Sequence, residues 1–146
     1  MHHKEPLYFE DVELGQEVPP FVRQTGIMEW NRFAAANEEF VPFHMEDEPA
    51  IASGQRGVFG MGNIRYAYLH DMLMNWAGRD GWIKRVACQY RGYNFKGETL
   101  TCTGKVVNKK VEDGLHLVEL EIGVTNNEGV NTAPGTATVV LPSRSS

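Results

Sequence analysis

What the sequence has little of narrows the field first. It holds only two cysteines, Cys88 and Cys102, without CxxC spacing and without a cluster of histidines beside them. Neither a zinc site nor a disulfide scaffold is indicated, and buried thiols in a reducing compartment are expected. No run of Lys and Arg occurs and the net charge is −5, so nucleic acid is a poor partner. No apolar run approaches the roughly 20 residues that span a bilayer, so no membrane partner is expected. The opening residues, MHHKEPLYFEDVELG, are polar and acidic with no apolar signal core, which points to a cytoplasmic protein. His2 and His3 receive no role. Internal repeats and low-complexity segments are missing as well.

What is present has the makeup of a globular protein, 42% hydrophobic and 23% charged in 146 residues. One core serves a chain of this size, so residues 1–146 read as a single domain, with an ordered part over 8–142. Residues 16–25 read as a first strand, which Pro19 and Pro20 confine to an edge or a bulge. Ile27, Trp30, Phe33 and Ala34 share one helical face, and with Thr25 as N-cap a short helix ends near Asn37. Residues 38–57, punctuated by Pro42, Pro49, Gly54 and Gly57, keep no period and read as an ordered excursion.

Residues 61–77 form a long helix buried on most sides, interrupted only by Arg65, His70, Asp71 and Asn75 and stopped at Gly78. Period-two patterns then predict strands at 82–91, 100–106, 116–124 and 136–141, with a hairpin turn at Asn126, Asn127 and Gly129. Residues 143–146 should fray. One buried helix followed by four antiparallel strands, with a fifth ahead of it, makes an α+β layer. It is the hotdog fold, a curled antiparallel sheet wrapped around one long central helix.

Within the excursion, Glu39 and His44 stand five residues apart across a turn broken by Pro42, and a turn can aim both side chains at one point. Gly54, Gly57, Gly60 and Gly62 then lead to the long helix, whose start exposes N–H groups. An imidazole, with an ordinary pKa of about 6.5, exchanges protons near neutrality. A carboxylate can hold water, and amide donors can carry negative charge that develops on an oxygen. Taken alone, a Glu next to Glu38 and a histidine in a turn are more often solvated surface groups. His70 and His116 sit inside element patterns and read as structural, Tyr66 and Tyr68 as core. Phe59, Met61 and Met72 either fill the core or line an acyl pocket. Lys84, Arg85, Arg91 and Lys96 form a basic cluster in an acidic chain. It reads either as a solvated strand face or as a landing site for the phosphates of a molecule such as coenzyme A.

The succession of YFEDVELGQ, a helix ending FAAAN, the segment EFVPFHME, a Gly-rich approach and a long apolar helix resembles the MaoC-like hydratases and dehydratases, single-hotdog enoyl-CoA hydratases. The likeness runs through nearly the whole chain. Around Asn75, Trp76, Ala77, Gly78, Ile83 and Lys84 it most resembles the small subunit of bacterial steroid side-chain enoyl-CoA hydratases, a short chain that pairs with a second MaoC-like chain. The family motif of Asp, Asn, Pro, His and a trailing acid falls on Glu39, Val41, Pro42, His44 and Glu46. It departs from the family at Glu39 and Val41.

The resemblance implies an enoyl-CoA hydratase, with a bulky acyl group of the steroid side-chain kind. Glu39 and His44 would be catalytic, and Phe59, Gly60, Met61, Gly62, Lys84, Arg85 and Arg91 would contact substrate. A coenzyme A thioester would be the substrate, with no cofactor and no metal. The assembly would be a homodimer or a heteromer with a second MaoC-like subunit. The departures at Glu39 and Val41 leave open a non-catalytic acyl-CoA-binding subunit of a heteromeric hydratase, and an acyl-CoA thioesterase on the same fold is a further alternative.

Overall fold

The computed structural model describes residues 5–145. The chain enters through a 3-10 turn at Phe9–Asp11, strand β1 (Glu17–Gln24) and helix α1 (Ile27–Asn37). A second 3-10 turn (Pro42–His44) and a short helix α2 (Asp47–Ala52) lead to the long helix α3 (Gly62–Ala77). Strands β2 (Trp82–Cys88), β3 (Thr99–Glu112), β4 (Leu115–Thr125) and β5 (Gly135–Val140) follow. All five strands pair antiparallel in one sheet, in the spatial order β1, β3, β4, β5, β2. Helix α3 touches every one of them. This is the hotdog fold that the patterning predicts.

The helix lies where it does because its apolar side chains have one place to go. Ile64, Leu69, Met72, Leu73 and Ala77 are buried against Leu100 and Val106 of β3, Val118, Leu120 and Val124 of β4 and Val139 of β5. Each fully buried Leu or Met contributes about 1.5–3 kcal/mol. Gly78, at φ +78°, closes the helix. Helix α1 adds a second layer through Trp30 and Ala34. Pro19 and Pro20 fall where the β1–β3 register shifts, between Val18 and Phe21, on a strand at the sheet edge. There, prolines cost few ladder hydrogen bonds.

Several expectations need correction. Gly26, not Thr25, caps α1; the Thr25 hydroxyl donates instead to the Glu98 carbonyl at 3.1 Å. The excursion contains a 3-10 turn and α2, each too short for a period to show. Strand β2 ends at Cys88, so Tyr90 and Arg91 leave the sheet. Strand β3 runs on to Glu112, because its outer half is exposed on both sides and lacks the alternation that reveals a strand. Its hairpin to β4 turns through Asp113 at φ +53° and Gly114 at φ +77°, a two-residue turn of the type that favours Asp-Gly. Ser143 and Arg144 do not fray: the Arg144 guanidinium grips both oxygens of Asp11 at 2.7 Å, and the Ser143 hydroxyl meets Glu10. Ser146 lies outside the described residues.

Both cysteines are free thiols, Cys102 buried and Cys88 half-buried. Desolvation pushes the Cys102 thiol up to about 12. Among the described residues no helix is long and apolar enough to cross a membrane.

Two substitutions probe this architecture. Leu69→Ala, at a fully buried position on α3, should lower the unfolding free energy by about 2–5 kcal/mol in urea melts. Gly114→Ala should cost at least about 1 kcal/mol, because an added Cβ strains a left-handed turn position.

Candidate active site

The site is assembled by the loop between α1 and α3. Helix α1 ends on Glu38 in the left-handed region, at φ +55°, and the Glu39 N–H closes onto the Ala34 carbonyl at 3.0 Å. Pro42 then opens the 3-10 turn, a position where its missing N–H costs nothing. The turn is pinned by N–H bonds from His44 to the Val41 carbonyl and from Met45 to the Pro42 carbonyl, both 3.0 Å. Asp47, at the start of α2, reaches across the excursion and accepts the Val58 N–H at 2.8 Å. The segment just ahead of α3 is thereby tied to the turn that carries His44.

Phe59 is the junction. Its N–H donates to the Phe43 carbonyl at 3.3 Å, and it bridges to Phe95. Its carbonyl lies 2.7 Å from His44 Nδ1, and its ring meets the imidazole edge-on at 5.0 Å. A carbonyl oxygen can only accept, so Nδ1 carries a proton and the neutral ring keeps its lone pair on Nε2. No acceptor or donor meets Nε2 among the described residues.

His44 borders a cavity of about 430 Å³, together with Phe59, Gly60, Gly62 and Arg91 of the predicted set. Arg65, Tyr90, Gly92 and Tyr93 complete the wall. A larger depression, of about 640 Å³, lies on the outer face of the sheet beside Lys105 and Glu121. It is lined by Glu17, Lys105 and Glu121 but by no histidine, so the smaller cavity is the candidate site. Among the described residues no group of three or more His, Cys, Asp or Glu side chains is placed to hold a metal ion.

The other predicted residues fall outside the wall. Glu39 is half-buried on the same loop, without a hydrogen-bond or ion-pair partner for its carboxylate among the described residues, but it does not border the cavity. Met61 is buried core. Lys84 and Arg85 lie on β2, away from the cavity, and Arg85 donates to the Thr136 hydroxyl.

Gly60 cannot act as an amide donor, because its N–H already bonds the Asn94 carbonyl at 2.7 Å. Its place demands glycine for another reason. A Cβ there would stand 2.6 Å from Trp30 Nε1 and 2.9 Å from Asn94 Oδ1. The N–H groups of Met61, Gly62 and Asn63 have no acceptor among the described residues, as the start of a helix leaves them. The Tyr90 ring lies over the Gly62 Cα, and its hydroxyl donates to Asn63 Oδ1 at 2.9 Å. Burial, helped by Cys88, pushes the Tyr90 phenol up to about 12.

Arg65, Tyr90 and Tyr93 escape a reading of sequence alone. For Arg65 there is a signal, since it sits on the same helical stripe as Leu69 and Met72 and is as buried as they are. A cation on an apolar stripe is an anomaly that calls for a partner. Tyr90 and Tyr93 reach the cavity only because the chain leaves the sheet after Cys88.

The chain matches none of the models of known protein families, and none of the curated proteins. Solved structures do match. The (R)-hydratase from A. caviae involved in PHA biosynthesis superposes with a TM-score of 0.78 at 21% identity, over 91% of this chain and 99% of that one. The R-hydratase PhaJ1 from Pseudomonas aeruginosa, in the unliganded form, gives 0.82 at 17% identity over 95% and 88%. The ChsH1-ChsH2 complex from Mycobacterium tuberculosis gives 0.77 at 20% identity over 88% and 98%. The chain has their fold. At these identities the likeness speaks for the architecture, and the chemistry has to be argued from the residues in the cavity wall.

The tie from Asp47 is open to test. Asp47→Ala leaves the Val58 N–H unpaired in a buried position, a loss of about 1–3 kcal/mol. Amide hydrogen exchange should quicken at Val58 and Phe59, with protection at Leu69 in the middle of α3 retained.

Proposed function

We propose that the chain is a MaoC-like enoyl-CoA hydratase, which adds water to a 2-enoyl-CoA to give a 3-hydroxyacyl-CoA. The observation that carries this reading is His44, with Nδ1 committed to the Phe59 carbonyl and Nε2 left to serve as a base at a cavity edge. Similar structures described as (R)-hydratases support it at the level of shared architecture. In the reaction, Nε2 takes a proton from water as the oxygen bonds to C3. The π electrons of the C2–C3 bond move toward the thioester oxygen, giving an enolate. The N–H groups that open α3, aided by the positive end of the helix, would stabilise that oxygen. The imidazolium then returns a proton to C2 and resets the base.

Glu39 supplies a carboxylate to hold and orient the water. Since it stands off the cavity wall, it acts from the loop side, in a site closed by a second chain. Phe43 and Tyr93, packed against Phe59 and exposed at 40% and 49%, offer the apolar surface for that closure. The partner is either a second copy or a second MaoC-like subunit, and one similar structure is itself described as a complex of two proteins. Arg91, exposed on the rim, adds positive charge that would draw an anionic coenzyme A thioester toward the cavity. A steroid side-chain acyl group enters through the sequence resemblance alone. The cavity wall, with two arginines in it, is not shaped by charge for an uncharged polycycle.

Hydration is followed as loss of the conjugated enoyl-thioester absorbance. His44→Ala and Glu39→Ala should each lower kcat by about 10²–10⁴ while keeping the wild-type circular dichroism. Undiminished activity in both variants contradicts the assignment. Release of free coenzyme A without hydration indicates a thioesterase, and thioester binding without turnover indicates a non-catalytic subunit.

A further inference from the structure

The wall of the His44 cavity contains two guanidinium groups and no carboxylate. Arg91 is exposed, and its donors meet the neutral Gln89 side chain at 2.7 and 3.1 Å. Arg65 is only 3% exposed. One of its terminal nitrogens, Nη1, donates to the carbonyls of Gly92, at 2.7 Å, and Thr132, at 3.3 Å. Its Nε is buried with no acceptor among the described residues. The ring of Tyr90 covers the guanidinium at 5.1 Å. Desolvation lowers its proton affinity, and the weakest of the influences opposing this comes from Glu98. The Glu98 carboxylate is itself engaged by the Phe95 N–H and by Arg56. An arginine still keeps its proton under such conditions, so a full positive charge sits buried with no carboxylate bonded to it among the described residues, Glu98 acting on it only at a distance.

Such a charge destabilises a fold unless something pairs with it. Tying the Gly92 and Thr132 carbonyls together uses a single nitrogen and accounts neither for the charge nor for the idle Nε. We infer that the ligand brings the missing charge. The acyl part of the thioester ends in a carboxylate, and Arg65 receives it. The inference rests on the acyl-CoA reading of this cavity. The phosphates of coenzyme A are not the anion in question, because the long pantetheine arm holds them away from a thioester placed at His44. The enolate oxygen is not it either, since that charge exists only during the reaction and offsets nothing in the resting complex. A carboxylate is permanent, and its two oxygens match the fork of a guanidinium. The substrate class is therefore the half-thioesters of dicarboxylic acids.

Isothermal titration with butyryl-CoA and succinyl-CoA tests this directly. The two share coenzyme A and a four-carbon acyl group, differ in the terminal carboxylate, and are saturated, so neither can be hydrated. Wild-type protein should bind succinyl-CoA at least roughly tenfold more tightly. That ratio should collapse toward one in Arg65→Met and be reduced but not lost in Arg65→Lys, which keeps the charge without the fork. Equal affinities in the wild type, or a preference that persists in Arg65→Met, overturn the inference. The wild-type comparison stands without the variants should either fail to fold. Binding of butyryl-CoA without a preference removes this inference alone, whereas failure of both thioesters to bind removes the acyl-CoA reading with it.

Discussion

Burial of α3 against all five strands at once is the constraint from which the rest of the structure follows. A helix that must seat Leu69, Met72 and Leu73 on β3, β4 and β5 together has little freedom in where its first turn begins. The residues just ahead of it, Val58 to Met61, are consequently drawn into the interior. There the backbone must find partners, and it finds them in the loop from α1: Asp47 for the Val58 N–H, Phe43 for the Phe59 N–H, and His44 for the Phe59 carbonyl. The proton-exchanging group is thus positioned by the same hydrogen-bond accounting that buries the helix start. The tautomer of His44 is a by-product of packing.

The same packing explains why glycines gather ahead of α3 and what each does. Gly60 gives room to Trp30 and Asn94, and Gly62 to Tyr90. Neither is there to adopt an unusual backbone angle. The exposed amides at the helix start are those of Met61, Gly62 and Asn63, one step later than the Gly-rich pattern suggests, because Asn94 has already claimed Gly60.

Much of the fold was legible because strong signals coincided. The long apolar helix ends at Gly78, paired prolines mark a bulged edge strand, and Asn126 to Gly129 turn between β4 and the bridge at Asn131. Short or two-sided elements were not legible. Helix α2 spans only 6 residues, and the outer half of β3 has no buried face to print a period. For the site, spacing around Pro42 singles out His44, which borders the cavity, while the direction of Glu39 depends on a left-handed residue, Glu38, that nothing in its identity announces. The aromatic part of the wall was hidden because it depends on where the chain departs from β2. Arg65 could be seen as an oddity on an apolar stripe, but that no carboxylate among the described residues bonds it is a three-dimensional fact.

The central claim is that the Phe59 carbonyl fixes His44 with its proton on Nδ1 and its lone pair on Nε2. Nitrogen-15 NMR of histidine-labelled protein, above the pH at which the ring loses its charge, reads this directly. The account predicts that His44 shows a protonated Nδ1 and a bare Nε2, the minor form of a free imidazole, and that it reverts to the usual mixture when the loop is unfolded. A bare Nδ1 with the proton on Nε2 in the folded protein would contradict it.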